Sequence, residues 1–106
     1  MPNYIDVESG LKRVGGSMPI FKKLLNKFSE GTYQDDLEAA IAAGNIEAAA
    51  AAAHTVKGVA ANLSLMEVNA LALQIEQALK NGDEYASLVP QLRKTTEETI
   101  AEIAKL

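Results

Sequence analysis

One histidine stands where its neighbours make chemistry possible. His54 is the sole histidine of the 106-residue chain, and it lies within Glu47 to Ser64, EAAAAAAHTVKGVAANLS, with Lys57 and Gly58 following at i+3 and i+4. An imidazole has an unperturbed pKa of about 6.5, so near pH 7 it is largely neutral yet basic. A neutral, exposed ring nitrogen can attack an electrophilic phosphorus, and the anionic product would need a cation beside it. On a helix Lys57 is a surface neighbour of His54, and its ammonium could offset that charge. Gly58 removes the side chain that would otherwise crowd the approach to the ring. A mid-helix glycine costs roughly 0.5–1 kcal/mol relative to alanine, and in a helix otherwise filled with alanine that cost points to a steric reason.

The helix that must position these residues is legible from periodicity. Positions 46, 49, 53, 56, 60 and 63 form one apolar stripe with 3-4-3-4-3 spacing, the pattern of a core-facing side. His54 then points about 140° away from the stripe's centre. Around it on the outer face lie Ala50, Ala51, Gly58 and Ala61, so a large ring stands alone on a cleared surface suited to a docking partner.

The remaining elements follow from caps and breaks. Asp6 is a candidate N-cap for a short amphipathic helix through Val7, Leu11 and Val14 that stops at Gly15-Gly16. Ser17 caps the next helix, with Pro19 in its first turn, and Ile20, Phe21, Leu24, Leu25 and Phe28 give it an apolar face. The phase breaks at Gly31-Thr32, and the spacing favours one long helix kinked there over two separate ones. Gly44 closes that element and Asn45 caps the helix carrying His54. Ser64 to Glu67 reads as a capping box for a helix burying Val68, Leu71, Ile75 and Leu79, ending at Asn81-Gly82. A last helix starts near Ala86 and turns Leu88, Leu92, Thr96, Thr99, Ile103 and Leu106 inward. These elements predict an all-α, antiparallel up-down four-helix bundle with a short extra N-terminal helix, one domain over 1–106.

Composition narrows the function. A net charge of −4 argues against nucleic acid or an anionic membrane surface as partner. With no cysteine there is no disulfide framework, thiolate catalysis or cysteine-ligated zinc, and a reducing, cytoplasmic setting fits. No phosphate-cradling glycine loop of the GxxxxGK[ST] or GxGxxG kind occurs. Asp35-Asp36 and Glu97-Glu98 are adjacent and diverge by about 100° on a helix, so neither is a paired-carboxylate site. Glu38 and Glu47 lack the histidines of a di-metal bundle.

At Ala53-His54-Thr55-Val56-Lys57-Gly58 the chain resembles the histidine-containing phosphotransfer (HPt) domain family, whose hallmark is His-x-x-Lys-Gly on an exposed helix face. The opening from Ile5 to Gly16 and the segment Leu73 to Glu76 also look like family members. The family places a second glycine six residues beyond the first, where this chain has Ser64. The resemblance implies a phosphorelay intermediate, with His54 taking a phosphoryl group from a receiver aspartyl phosphate or a histidine kinase and passing it to a receiver aspartate. It implies catalytic roles for His54, Lys57 and Gly58, with Ala50, Ala51, Ala61 and Glu76 on the docking face; for Glu76 the alternatives are orienting the imidazole and standing as a plain surface glutamate. The expected partners are response-regulator receiver domains and a hybrid sensor histidine kinase. No cofactor is expected on this chain, since Mg²⁺ belongs to the receiver, and a monomer without autonomous kinase activity is expected. The alternative is a helical adaptor that docks a partner through the same face without phosphotransfer.

Overall fold

The computed structural model describes residues 4–106, so the first three residues of the expected 1–106 domain lie outside it. All regular structure among the described residues is helical: α1 (Val7–Arg13), α2 (Met18–Glu30), α3 (Tyr33–Ala42), α4 (Ile46–Asn62), α5 (Met66–Asn81) and α6 (Leu88–Ala104). Helix α4 packs between α3 and α5, α5 packs on α6, and α6 also meets α2 and α3. The core is Phe21, Leu25 and Phe28 of α2, Leu37 of α3, the alanine stripe of α4, Val68, Ile75 and Leu79 of α5, and Leu92 and Ile103 of α6. Small residues on α4 let its neighbours approach closely, which is what an alanine stripe contributes to packing.

Two helices replace the single kinked one expected over 17–44. Gly31 is extended (φ −75°, ψ 165°) between α2 and α3, and an extended residue breaks the hydrogen-bond ladder outright where a kink would only bend it. The break resets the helical phase, so that Phe28 and Leu37 both face the core. Tyr33 stacks on Phe28 across it, with ring centroids 5.7 Å apart. Arg93 of α6 then clamps α3 through Glu38 (2.7 Å) and Asp35 (2.8 Å).

Most caps match their sequence signals. Asp6 accepts from Ser9 N, Ser17 from Ile20 N and Asn45 from Ala48 N, each satisfying an otherwise orphaned donor. Helix α6 begins at Leu88, close to the expected start, but Leu106 is exposed. Gly10, which weakens α1 by propensity, is buried, and a Cβ there would run into the Phe21 ring. Its glycine is a close-approach device.

Ser64 also departs from its expected role. It does not cap α5: Leu65 occupies the N-cap position with no side-chain cap bond. Instead Ser64 terminates α4 in the left-handed region (φ 58°), the one non-glycine among the described residues to do so. Leu65 N donates to Ala60 O (2.8 Å) and Ser64 N to Ala61 O (3.3 Å), the paired bonds of a Schellman close. The α4–α5 corner is tied down by the N-terminal segment: Asp6 N donates to Ser64 O (2.9 Å), Met66 N to Tyr4 O (3.2 Å), and Ser64 Oγ to Ser9 Oγ (3.0 Å). The backbone of Tyr4 thus does for Met66 what a capping side chain would have done.

Candidate functional site

The outer face of α4 carries the expected residues in the expected order. Ala49, Ala53, Val56, Ala60 and Leu63 are buried, whereas Ile46 at the first turn is exposed. The His54 side chain is 65 % exposed. A Cβ added at Gly58 would have nothing within 4 Å, so the space beside the ring is open. Ala51 and Ala61 are exposed with it, while Ala50 is half-buried and packs against the core edge.

Glu76 departs from its expected place on the docking face. It is 3 % exposed, and its carboxylate lies in the seam between α4 and α5, which pack on one another along their length. Oε1 takes Lys57 Nζ at 2.9 Å. Oε2 takes both His54 Nδ1 and Lys80 Nζ, each at 2.9 Å. A side chain buried this deeply cannot line a docking surface; it acts from beneath the ring. The Lys57 ammonium, followed by hydrogen bonds from Lys80 and His54, outweighs burial and holds the Glu76 carboxyl down at about 2, against an ordinary 4.5. Near neutrality it is therefore ionised, and a carboxylate can only accept.

That fixes the tautomer. If Oε2 has no proton to give, His54 Nδ1 must carry the hydrogen of their bond, and the neutral ring then has its lone pair on Nε2. The carboxylate orients the ring from behind, and an electron pair faces outward from a solvent-exposed side chain. Asn69 Nδ2 of α5 also donates to Lys57 O (3.0 Å), pinning the α4 backbone one turn beyond His54.

Periodicity placed His54, Lys57 and Gly58, but it passed over Lys80 and the burial of Glu76. A signal was present: Glu76 follows Ala72 by four residues at the edge of the α5 core stripe, and Lys80 follows Glu76 by four. A carboxylate on the margin of an apolar stripe needs cations within reach.

The arrangement gathers an exposed imidazole, a carboxylate buried beneath it and two ammonium groups bonded to that carboxylate. Among the described residues no group of three or more His, Cys, Asp or Glu side chains converges as a metal site, and no helix is long and apolar enough to cross a membrane. Several surface grooves are lined by residues other than His54. One of about 550 Å³ runs between α1, α2 and α4, lined by residues including Arg13, Leu24, Lys27 and Val59.

Compared with known families, residues 29–105 match the family model described as Hpt domain. No curated protein and no solved structure matches the chain.

Proposed function

This chain belongs to the Hpt domain family, which serves phosphotransfer in two-component signalling, and on that premise we propose that it is a phosphorelay intermediate with His54 as the phosphoryl carrier. The observation that carries the reading is the His54–Glu76 bond of 2.9 Å, which leaves Nε2 outward and unprotonated in the neutral ring.

The Nε2 lone pair attacks the phosphorus of a receiver aspartyl phosphate; the N–P bond forms as the P–O bond to the aspartyl oxygen breaks, and the receiver carboxylate leaves with that electron pair. The Nδ1 hydrogen stays in place, so the ring becomes cationic, and the ionised Glu76 carboxylate beneath it offsets the new charge. Lys57, on Oε1, adds a fixed positive charge beside the phosphoryl group. Passing the group on is the same step reversed. Gly58, Ala51 and Ala61 keep the approach low, so that a receiver can bring its acidic pocket and its own Mg²⁺ to the ring. In that role Mg²⁺ supplies charge neutralisation from the receiver side.

We read the helices as an antiparallel up-down bundle of α4, α5, α6 and a fourth position shared by α2 and α3, with α1 at one end. The connections of a few residues between successive helices support this. The cysteine-free composition suits a reducing, cytoplasmic setting, and in this reading the chain is a monomer that meets receivers and a hybrid kinase and has no kinase activity of its own.

The test is transfer from a receiver domain charged with acetyl phosphate. Acid-labile label should appear on this chain and vanish in His54→Gln with the helical fold intact. A His54→Gln chain that still accepts label, or a wild-type chain that docks receivers without accepting any, defeats the reading; the latter result is the adaptor's signature.

A further inference from the structure

Two lysines share one carboxylate, and their bonds to it differ. Lys57 holds Oε1 alone, and its side chain is only 27 % exposed. Lys80 shares Oε2 with His54, and its side chain is 61 % exposed on the next turn of α5. If Lys57 let go, Oε1 would be left without a partner in a site closed to solvent, which is costly for an ion. If Lys80 let go, Oε2 would still accept from His54 Nδ1, and the freed ammonium would be in water. Lys80 Nζ is also two hydrogen bonds from the ring, through the shared oxygen.

From this asymmetry we propose that Lys80 is the exchangeable cation of the site: it rests on Glu76 Oε2 and moves to the phosphoryl group formed on His54, while Lys57 stays on Oε1. A phosphoryl group on Nε2 is a dianion with three acceptor oxygens, and it attracts an ammonium more strongly than a carboxylate oxygen already occupied by Nδ1–H. The same event makes the ring cationic, which tightens the Nδ1–H bond to Oε2 and leaves Lys80 the weaker competitor for that oxygen. Phosphorylation thus loosens Lys80 and creates its new partner together. Lys57 contributes a fixed field and Lys80 a mobile contact.

The inference rests on the phosphorelay reading, and the experiment separates the two. A receiver domain charged with acetyl phosphate is equilibrated with the wild-type chain, Lys80→Ala and Lys80→Arg, and the ratio of label on His54 to label on the receiver is measured. An exposed charge contact corresponds to about a three- to fivefold change in an equilibrium constant. Lys80→Ala should lower the ratio by about that factor, and Lys80→Arg should restore it, while both unphosphorylated variants keep the helical circular dichroism spectrum of the wild type. NMR of the lysine side chains adds a second readout: on phosphorylation the Lys80 Cε and Nζ signals should shift and those of Lys57 should hold. An unchanged ratio in Lys80→Ala, a ratio in Lys80→Arg as low as in Lys80→Ala, or shifts confined to Lys57 would overturn the assignment. A wild-type chain that takes no label overturns the underlying reading instead.

Discussion

Replacing Glu76 by glutamine tests the buried carboxylate, because it keeps the side-chain shape and one acceptor oxygen while removing the charge and turning the other oxygen into an NH₂ donor. In the folded protein the Glu76 carboxyl is held at about 2 rather than 4.5, by Lys57 first and then by Lys80 and His54. Each pKa unit corresponds to about 1.4 kcal/mol, so the ceiling on this contribution is about 3 kcal/mol. Two of its partners, Lys80 and His54, are mostly exposed, and solvent screening brings the expected value to about 1–2 kcal/mol. The sign follows from proton binding: with a depressed folded pKa, the native state binds fewer protons than the unfolded chain between the two values. The contribution is therefore complete above about pH 4.5 and is lost as pH falls toward 2. Urea unfolding followed by circular dichroism from pH 6 to 2 should show Glu76→Gln less stable than wild type by about 1–2 kcal/mol at pH 6, with the gap narrowing through pH 4.5 to 2. A gap that stays constant with pH, or no gap at pH 6, would refute the ionised hub.

Other substitutions test separate parts of the structure. Gly58→Gln has open space and better helix propensity by roughly 0.5–1 kcal/mol, so its melting temperature should hold or rise while receiver transfer slows about tenfold or more; equal transfer rates would count against an access role. Gly10→Ala should lose stability by about 1–3 kcal/mol in spite of better propensity, since its Cβ would meet the Phe21 ring; a more stable variant in urea unfolding would mean that α1 and α2 separate freely. At Ser64 the left-handed backbone favours glycine by about 1–2 kcal/mol, which the lost bond to Ser9 offsets by about 1 kcal/mol. Ser64→Gly should thus stay within about 1 kcal/mol of wild type, and Ser64→Val should fall by about 2 kcal/mol or more; equal stability of the two would contradict the helix-closing geometry.

Where periodicity and capping coincide, sequence and structure agree. The α4 stripe from Ala49 onward, its Asn45 cap and the outward His54 and Gly58 all follow from 3.6-residue spacing and one N-cap signal, both local properties. Local signals missed what depends on a neighbour in space. Gly31 looked like a kink because nothing in the chain around it announces that Tyr33 will stack back on Phe28. Ser64-x-x-Glu67 has the form of a capping box, yet the serine ends the preceding helix, and the N-terminal segment supplies the bonds at the corner. In an HPt pattern the glycine expected at position 64 has a physical basis here, the left-handed close of α4, and Ser64 occupies it with its hydroxyl tied to Ser9. From sequence alone Glu76 belongs on the surface, because charge usually marks the outside. Its burial is tolerated only because α4 and α5 deliver His54, Lys57 and Lys80 to one carboxylate, a convergence that no single helix displays. By helix propensity alone Gly10 is unfavourable in α1, and its reason lies in a ring on the next helix.

The central claim is that His54 carries the phosphoryl group on Nε2 while Nδ1 keeps its hydrogen on Glu76. Nitrogen-15 NMR of the imidazole, recorded on the chain before and after transfer from a charged receiver, measures both halves of it at once. The account predicts the Nδ1–H tautomer in the resting protein and a phosphorus-coupled Nε2 in the modified one. A resting ring protonated on Nε2, or phosphorus attached at Nδ1, would contradict it.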